Sequence, residues 1–151
     1  MKKIVGIIQE HMFSKQQIKA IEAGFKKIYR EHYSETESVV VLWMVMPEGY
    51  AYSERKPSEA TIIVVEVNED ITQTKREEMM GRFSQFLLNT YKISPLDSVI
   101  TVANSSWVNA FFSSQRKRVS KWSRPFFTLK MLGTALSSKL SNGYMKLLIR
   151  G

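Results

Sequence analysis

Residues Val39 to Met46 read Val-Val-Val-Leu-Trp-Met-Val-Met, eight apolar positions in a row. The run is rich in branched residues and too short for a core helix of ordinary length. It predicts a strand covered on both faces. It is also the longest apolar run in the chain, far below the roughly 20 residues that a membrane-crossing helix needs. Pro47-Glu-Gly49 closes it. Any fold for this chain is therefore built around an interior strand.

The flanking sequence supplies the partners. Lys2 to Gln9 reads as a first strand, its apolar run too short for a signal-peptide core. Ser14 with Gln17 three residues later can form a reciprocal cap, and Ile18, Ile21, Phe25, Ile28 and Tyr29 then recur at helical spacing to about His32. Tyr50 to Glu59 is polar and contains Pro57, so it reads as a loop or short edge hairpin. Ala60 to Val67 is another strand. Thr74 with Glu77 predicts a second capping box, followed by a stripe of Met80, Phe83, Leu87 and Tyr91 flanked by Met79 and Phe86. Pro95 ends that helix before Ser98 to Ala103 resumes a strand. The order to residue 104 is βαββαβ, two βαβ units at 1–46 and 60–104.

Charge divides the chain in two. Residues 1–97 hold 13 Lys/Arg against 14 Asp/Glu, whereas residues 98–151 hold nine Lys/Arg and no acid. The net charge of +8 thus belongs to the tail. Absence of cysteine excludes a disulfide framework, a thiolate zinc site and a cysteine nucleophile, and fits a reducing cytoplasm. His11 and His32 sit at opposite ends of the first helix, roughly 30 Å apart by helical rise, and cannot share a metal within one chain. Neither a metal nor a cofactor is expected.

Element order alone leaves open a ferredoxin-like sandwich and a second arrangement, and particular residues favour the second. The first strand begins at the first residues, Phe13-Ser14 opens the helix, Pro47-Glu-Gly49 is followed by Tyr50-Ala-Tyr52, and Thr61-Ile-Ile-Val64 and Lys92-Ile-Ser-Pro-Leu-Asp-Ser-Val99 come later. This pattern, over about residues 2 to 110, resembles the tautomerase superfamily, in particular the branch of cis-3-chloroacrylate dehalogenase and malonate semialdehyde decarboxylase. The resemblance implies an α/β (α+β) fold in which the two βαβ units form a four-stranded sheet with two helices on one face, the MIF-like fold. It would occupy residues 1–112, with a basic, partly amphipathic extension over 113–151. It also implies a homotrimer whose sites lie beside the amino-terminal end of the first strand and take small oxo acids, enols or unsaturated carboxylates.

Family enzymes use an amino-terminal proline whose amine is matched to neutral pH by an apolar pocket. This chain reads Met1-Lys2, with Lys2 aligned to the proline. Glu69 and Thr72 fall where carboxylate-holding arginines stand, Tyr29 where a water-activating histidine stands, and Ser53-Glu54 where a glycine pair stands. The catalytic candidates are therefore the amine of Met1, weighed against an amine merely located at a subunit contact, and the side chain of Lys2, weighed against an ordinary solvated lysine. The substrate-binding candidates are Tyr29, Tyr50, Tyr52, Arg55 and Trp107, with core packing the default role of Tyr29.

In the tail, Arg116-Lys-Arg118, Lys121 and Arg124 surround Trp122, and Leu129, Leu132, Leu136 and Leu140 make an apolar stripe. Packing across the trimer and contact with an anionic membrane surface through residues 113–140 both suit it. Nucleic acid is disfavoured, because the strands Ala60 to Val67 and Ser98 to Ala103 lack the aromatics that a sheet needs to stack bases. Two functional readings stay open. One is a protein that binds and converts a small carbonyl or enol compound, by tautomerisation, isomerisation or hydration-type chemistry, without a proline. The other is a non-catalytic trimeric binding or scaffolding protein.

Overall fold

A computed structural model describes residues 1–53, 56–57, 60–117 and 121–148. In chain order the elements are β1 (Lys2–Gln9), α1 (Lys15–His32), β2 (Val39–Met46), a minute hairpin of β3 (Tyr52–Ser53) and β4 (Lys56–Pro57), β5 (Thr61–Val67), α2 (Gln73–Tyr91), β6 (Ser98–Asn104), α3 (Ser105–Lys117), α4 (Arg124–Asn142) and β7 (Met145–Leu148).

Five strands form one sheet in the order β6-β5-β1-β2-β7. β1 pairs parallel with β2 from Lys2 opposite Val39 to Gln9 opposite Met46, and β5 pairs parallel with β6. The two halves meet where β1 runs antiparallel to β5. Since β1 and β2 are direct neighbours, no strand is inserted into the βαβ unit, which excludes the split βαβ of a ferredoxin-like sandwich. The four expected strands are joined by a fifth from the tail, β7, parallel to β2.

Side-chain alternation sets the core. Ile4 and Ile8 of β1, Val41, Trp43 and Val45 of β2, and Ile63, Val65 and Val67 of β5 face α1 and α2, which contribute Ile18, Ile21, Phe25, Tyr29, Met79, Phe83 and Leu87. Phe25 lies at the centre, stacked on Trp43 and edge-on to Phe83. β2 is not covered on both faces as its composition suggests: Val40, Leu42 and Met44, on the side away from α1 and α2, are only half-buried in one protomer.

The helix starts follow local chemistry. The Ser14–Gln17 capping box forms, Ser14 Oγ accepting from the Gln17 N–H at 3.2 Å and Gln17 Oε1 from the Ser14 N–H at 2.9 Å. In α2 the cap is Thr72 rather than Thr74, its hydroxyl accepting from the Lys75 N–H. Phe83 and Leu87 are buried as the stripe predicts, with Met79 fully buried beside them and Met80 packed partly against the core. α4 ends at Gly143, whose φ of 81° is a left-handed cap conformation.

Candidate functional site

The antiparallel β1–β5 pairing brings the start of β1, the ends of β5 and β6 and the start of α3 to one end of the sheet, beside the last turn of α1. Polar side chains gather there because apolar strands give way to polar residues at that edge. Lys2 Nζ donates to Asn68 Oδ1 and, at 2.7 Å, to Ser105 Oγ. Ser105 in turn donates to the Val67 carbonyl at 3.0 Å. Lys2 is thus a tethered cation, while Met1 is 79% exposed.

Next to Lys2, the buried carboxylate of Glu66 receives both the Lys3 backbone N–H and the Lys3 ammonium at 3.1 Å. A carboxylate so deeply placed needs such partners to remain tolerable. The Glu66 carbonyl accepts from the Tyr29 hydroxyl at 3.0 Å. Tyr29, a candidate pocket residue on sequence grounds, is enclosed in the core instead. Its phenol is held protonated chiefly by burial, with Tyr33 adding to the effect.

One turn further, where α1 leaves the core, Tyr33 reaches the sheet end. Its ring packs edge-on against Tyr29 at 4.8 Å, and its hydroxyl accepts from the Asn68 N–H at 2.8 Å. Burial raises the Tyr33 pKa and the Asn68 hydrogen bond opposes that rise. Tyr33, Asn68, Glu37, Asp70, Thr72 and Lys75 line a cleft of about 410 Å³. Two carboxylates and one ammonium make its lining net negative.

Across the start of α3 lies a second cleft, of about 500 Å³, between Arg76, Gln73, Asn104 and Trp107. Arg76 donates to the Val102 carbonyl at 3.0 Å and to Asn104 Oδ1, which points the guanidinium along the end of β6. Glu69 accepts from the Ser106 N–H at the amino terminus of α3, at 2.9 Å, and its carboxyl is lowered by that hydrogen bond. Trp107 is half-exposed here, stacked on Phe111 at 5.9 Å.

Of the residues singled out in the sequence, Met1, Lys2 and Trp107 share this end of the sheet. Tyr50 does not: it follows β2 at the opposite end, 68% exposed, beside the Gln9–Gly49 hydrogen bond. Eight strand residues, about 25 Å, separate it from Lys2 within one protomer. Tyr52 belongs to β3 and its side chain lies outside what the structure describes, and Arg55 lies outside the described residues. Tyr33, Asn68, Ser105 and Arg76 are the residues that sequence reasoning missed. Tyr33 carried one signal, since it stands four positions after Tyr29 and extends the same helical face past the last turn. Among the described residues no group of three or more histidine, aspartate or glutamate side chains comes together as a metal site.

A sheet of two βαβ halves meeting antiparallel, with a polar site at the amino-terminal end of its first strand, defines the tautomerase (MIF-like) fold. Solved structures bear this out. The native protein Ps01740 matches with a TM-score of 0.62 at 14% identity, over 70% of this chain and 96% of that one. N1, a member of the cis-3-chloroacrylic acid dehalogenase family, matches with 0.61 at 9% identity, over 68% and 73%. A fused 4-OT crystallised as an asymmetric trimer matches with 0.60 at 10% identity, over 68% and 85%. No protein-family model matches the chain, and no curated protein matches it in sequence.

Proposed function

We propose that the chain is a tautomerase-superfamily protein working as a cytoplasmic homotrimer. It binds a small carbonyl or enol compound in the cleft at the amino-terminal end of β1 and moves a proton between carbon and oxygen without a proline amine. The observation that carries this reading is the linked trio of Lys2, Asn68 and Tyr33: Tyr33 and Asn68 line the cleft, the Asn68 N–H holds the phenol, and the Asn68 side chain holds the Lys2 ammonium behind that lining. Both groups are hydrogen-bond donors. Aimed at a carbonyl oxygen, they stabilise the negative charge that builds there as an adjacent C–H loses its proton.

A phenol is protonated at neutral pH, so Tyr33 gives a proton to the oxygen, and a cleft carboxylate, Glu37 or Asp70, takes the proton from carbon. Two carboxylates against one ammonium favour an uncharged ligand over an oxo acid. The trimer is supported by the half-buried apolar side chains Val40, Leu42, Met44, Ile62 and Val64 on the face away from α1 and α2, and by the trimeric fused 4-OT.

The test is α-deuterium exchange of a panel of neutral aryl ketones, followed by proton NMR, with ketonisation of phenylenolpyruvate as the anionic comparison. Lys2→Met and Tyr33→Phe should each slow exchange by about 100-fold or more, the usual contribution of a positioned proton donor. Exchange at the buffer rate throughout the panel would sink the catalytic reading. Ketones that bind without exchanging would leave the non-catalytic binding protein in its place.

A further inference from the structure

α4 is built the wrong way round for a helix of an isolated globular protein. Amphipathic helices ordinarily turn their apolar stripe to the core and their polar side to water. In α4 the side packed on the protein carries Thr128, Met131, Thr134, Ala135, Ser138 and Asn142, of which Ser138 is 8% exposed. That orientation is fixed by hydrogen bonds to β7 and the residue before it: Ser138 Oγ donates to the Tyr144 carbonyl at 3.1 Å and accepts from the Lys146 N–H at 3.2 Å. The opposite side carries Phe126, Leu129, Leu132, Leu136 and Leu140, and Leu129 and Leu140 are 69% and 90% exposed. The stripe runs almost the full length of the helix, about 28 Å.

Its surroundings are cationic. Lys130 and Lys139 border the stripe, each about a quarter of a turn to one side. Beside it a groove of about 540 Å³ is lined by Lys130 and Lys146 together with Thr134, Ser137, Ser141 and Asn142, without a carboxylate. Over residues 98–151 there are nine Lys/Arg and no Asp/Glu. A second copy covering this stripe with its own would set like charges against one another. No helix among the described residues is long and apolar enough to cross a membrane, so a lipid partner would be met at its surface.

We propose that α4 docks this protein on an anionic lipid surface, the leucines entering the acyl boundary while Lys130, Lys139 and Lys146 meet the headgroup phosphates. This is the geometry of an interfacial helix, in which buried apolar area and basic flanks act together. It does not depend on the chemistry assigned to the Lys2 site.

The test is co-sedimentation of the full chain with vesicles of phosphatidylcholine alone and of phosphatidylcholine containing phosphatidylserine, at low and at physiological salt. Binding is expected only to the phosphatidylserine vesicles, and it should weaken as salt rises. Lys130→Ala with Lys139→Ala should weaken it by about 30-fold, the effect of removing two cations from an anionic surface. Leu132→Ser with Leu136→Ser should abolish it while leaving the far-ultraviolet circular dichroism unchanged, because both leucines are exposed. No binding to either vesicle overturns the proposal. So does a wild type that ignores vesicles but forms larger oligomers than the leucine variant, which would make the stripe a contact between copies.

Discussion

Alanine at position 6 would place a methyl group inside the ring of Trp43. An ideal Cβ on Gly6 lies 2.5 Å from Cζ3 and 2.6 Å from Cε3 of that indole, where ordinary carbon contacts stand near 3.5–4.0 Å. The ring must retreat by about 1 Å. It has little room to do so, being fully buried, stacked on Phe25 and anchored by its Nε1–H to Glu22 at 3.1 Å. Overpacking of this kind costs about 1–3 kcal/mol, and a ring held on two sides belongs at the upper end. For a chain of 151 residues, about 3 kcal/mol lowers Tm by about 6–12 °C. Thermal unfolding of Gly6→Ala followed by circular dichroism measures this. Trp43→Leu removes the obstructing atoms, so in that background the same alanine should cost under about 1 kcal/mol, a coupling of about 2 kcal/mol. A Tm within about 2 °C of the parent, or an equal cost in both backgrounds, would refute the reasoning.

Two further outcomes follow from the helices. Burial raises the Glu22 carboxyl above its ordinary 4.5, against the opposing pull of Lys26 and Trp43. A raised carboxyl favours the fold fully below pH 4.5 and loses that contribution as pH climbs from 4.5 through the folded value. Glu22→Gln keeps an acceptor for the Trp43 N–H, so urea titrations should find it at least as stable as the parent at pH 7, with its advantage shrinking toward pH 4. Gly81 is exposed in mid-α2, with nothing within 4 Å of an added Cβ. Gly81→Ala should therefore gain about 0.5–1 kcal/mol by reducing backbone entropy, a rise in Tm of about 1–4 °C in the same thermal scan.

The strands and first helix were legible because their signals are local. Val39–Met46 is a strand from end to end, and the Ser14 cap fixed the phase of α1, so Ile18, Ile21, Phe25 and Tyr29 were readable as one buried stripe. In α2 the stripe was readable at Phe83 and Leu87, but its first turn was not: Met79 and Met80 are equally apolar, and the fold buries Met79 fully and Met80 in part, while Thr72 rather than Thr74 caps the helix. The site was half legible. Lys2 came from resemblance, but Asn68 and Ser105 become its partners only through the antiparallel β1–β5 junction, which element order does not specify. Tyr50, aromatic and close to a turn, looked equally eligible, yet it stands at the far end of the sheet because β2 runs parallel to β1 and the chain leaves β2 eight residues from Lys2's level. β7 escaped notice because four residues after a glycine carry too little pattern to distinguish a strand from the end of a tail.

The pairing of β7 with β2 sets an order of assembly. Leu42 meets a residue about a hundred positions later, the most distant pairing in the sheet, so it bears the largest loop-closure cost and gains only four opposed residues in return. Such a strand belongs to the last step of folding and the first step of local opening, while β1, β2 and β5 hold the rest together. Amide hydrogen exchange at Met145 to Leu148 should accordingly outpace exchange in β1. The outermost helix thus hangs from the newest seam of the sheet, and whatever engages α4 will be felt first where β7 meets β2.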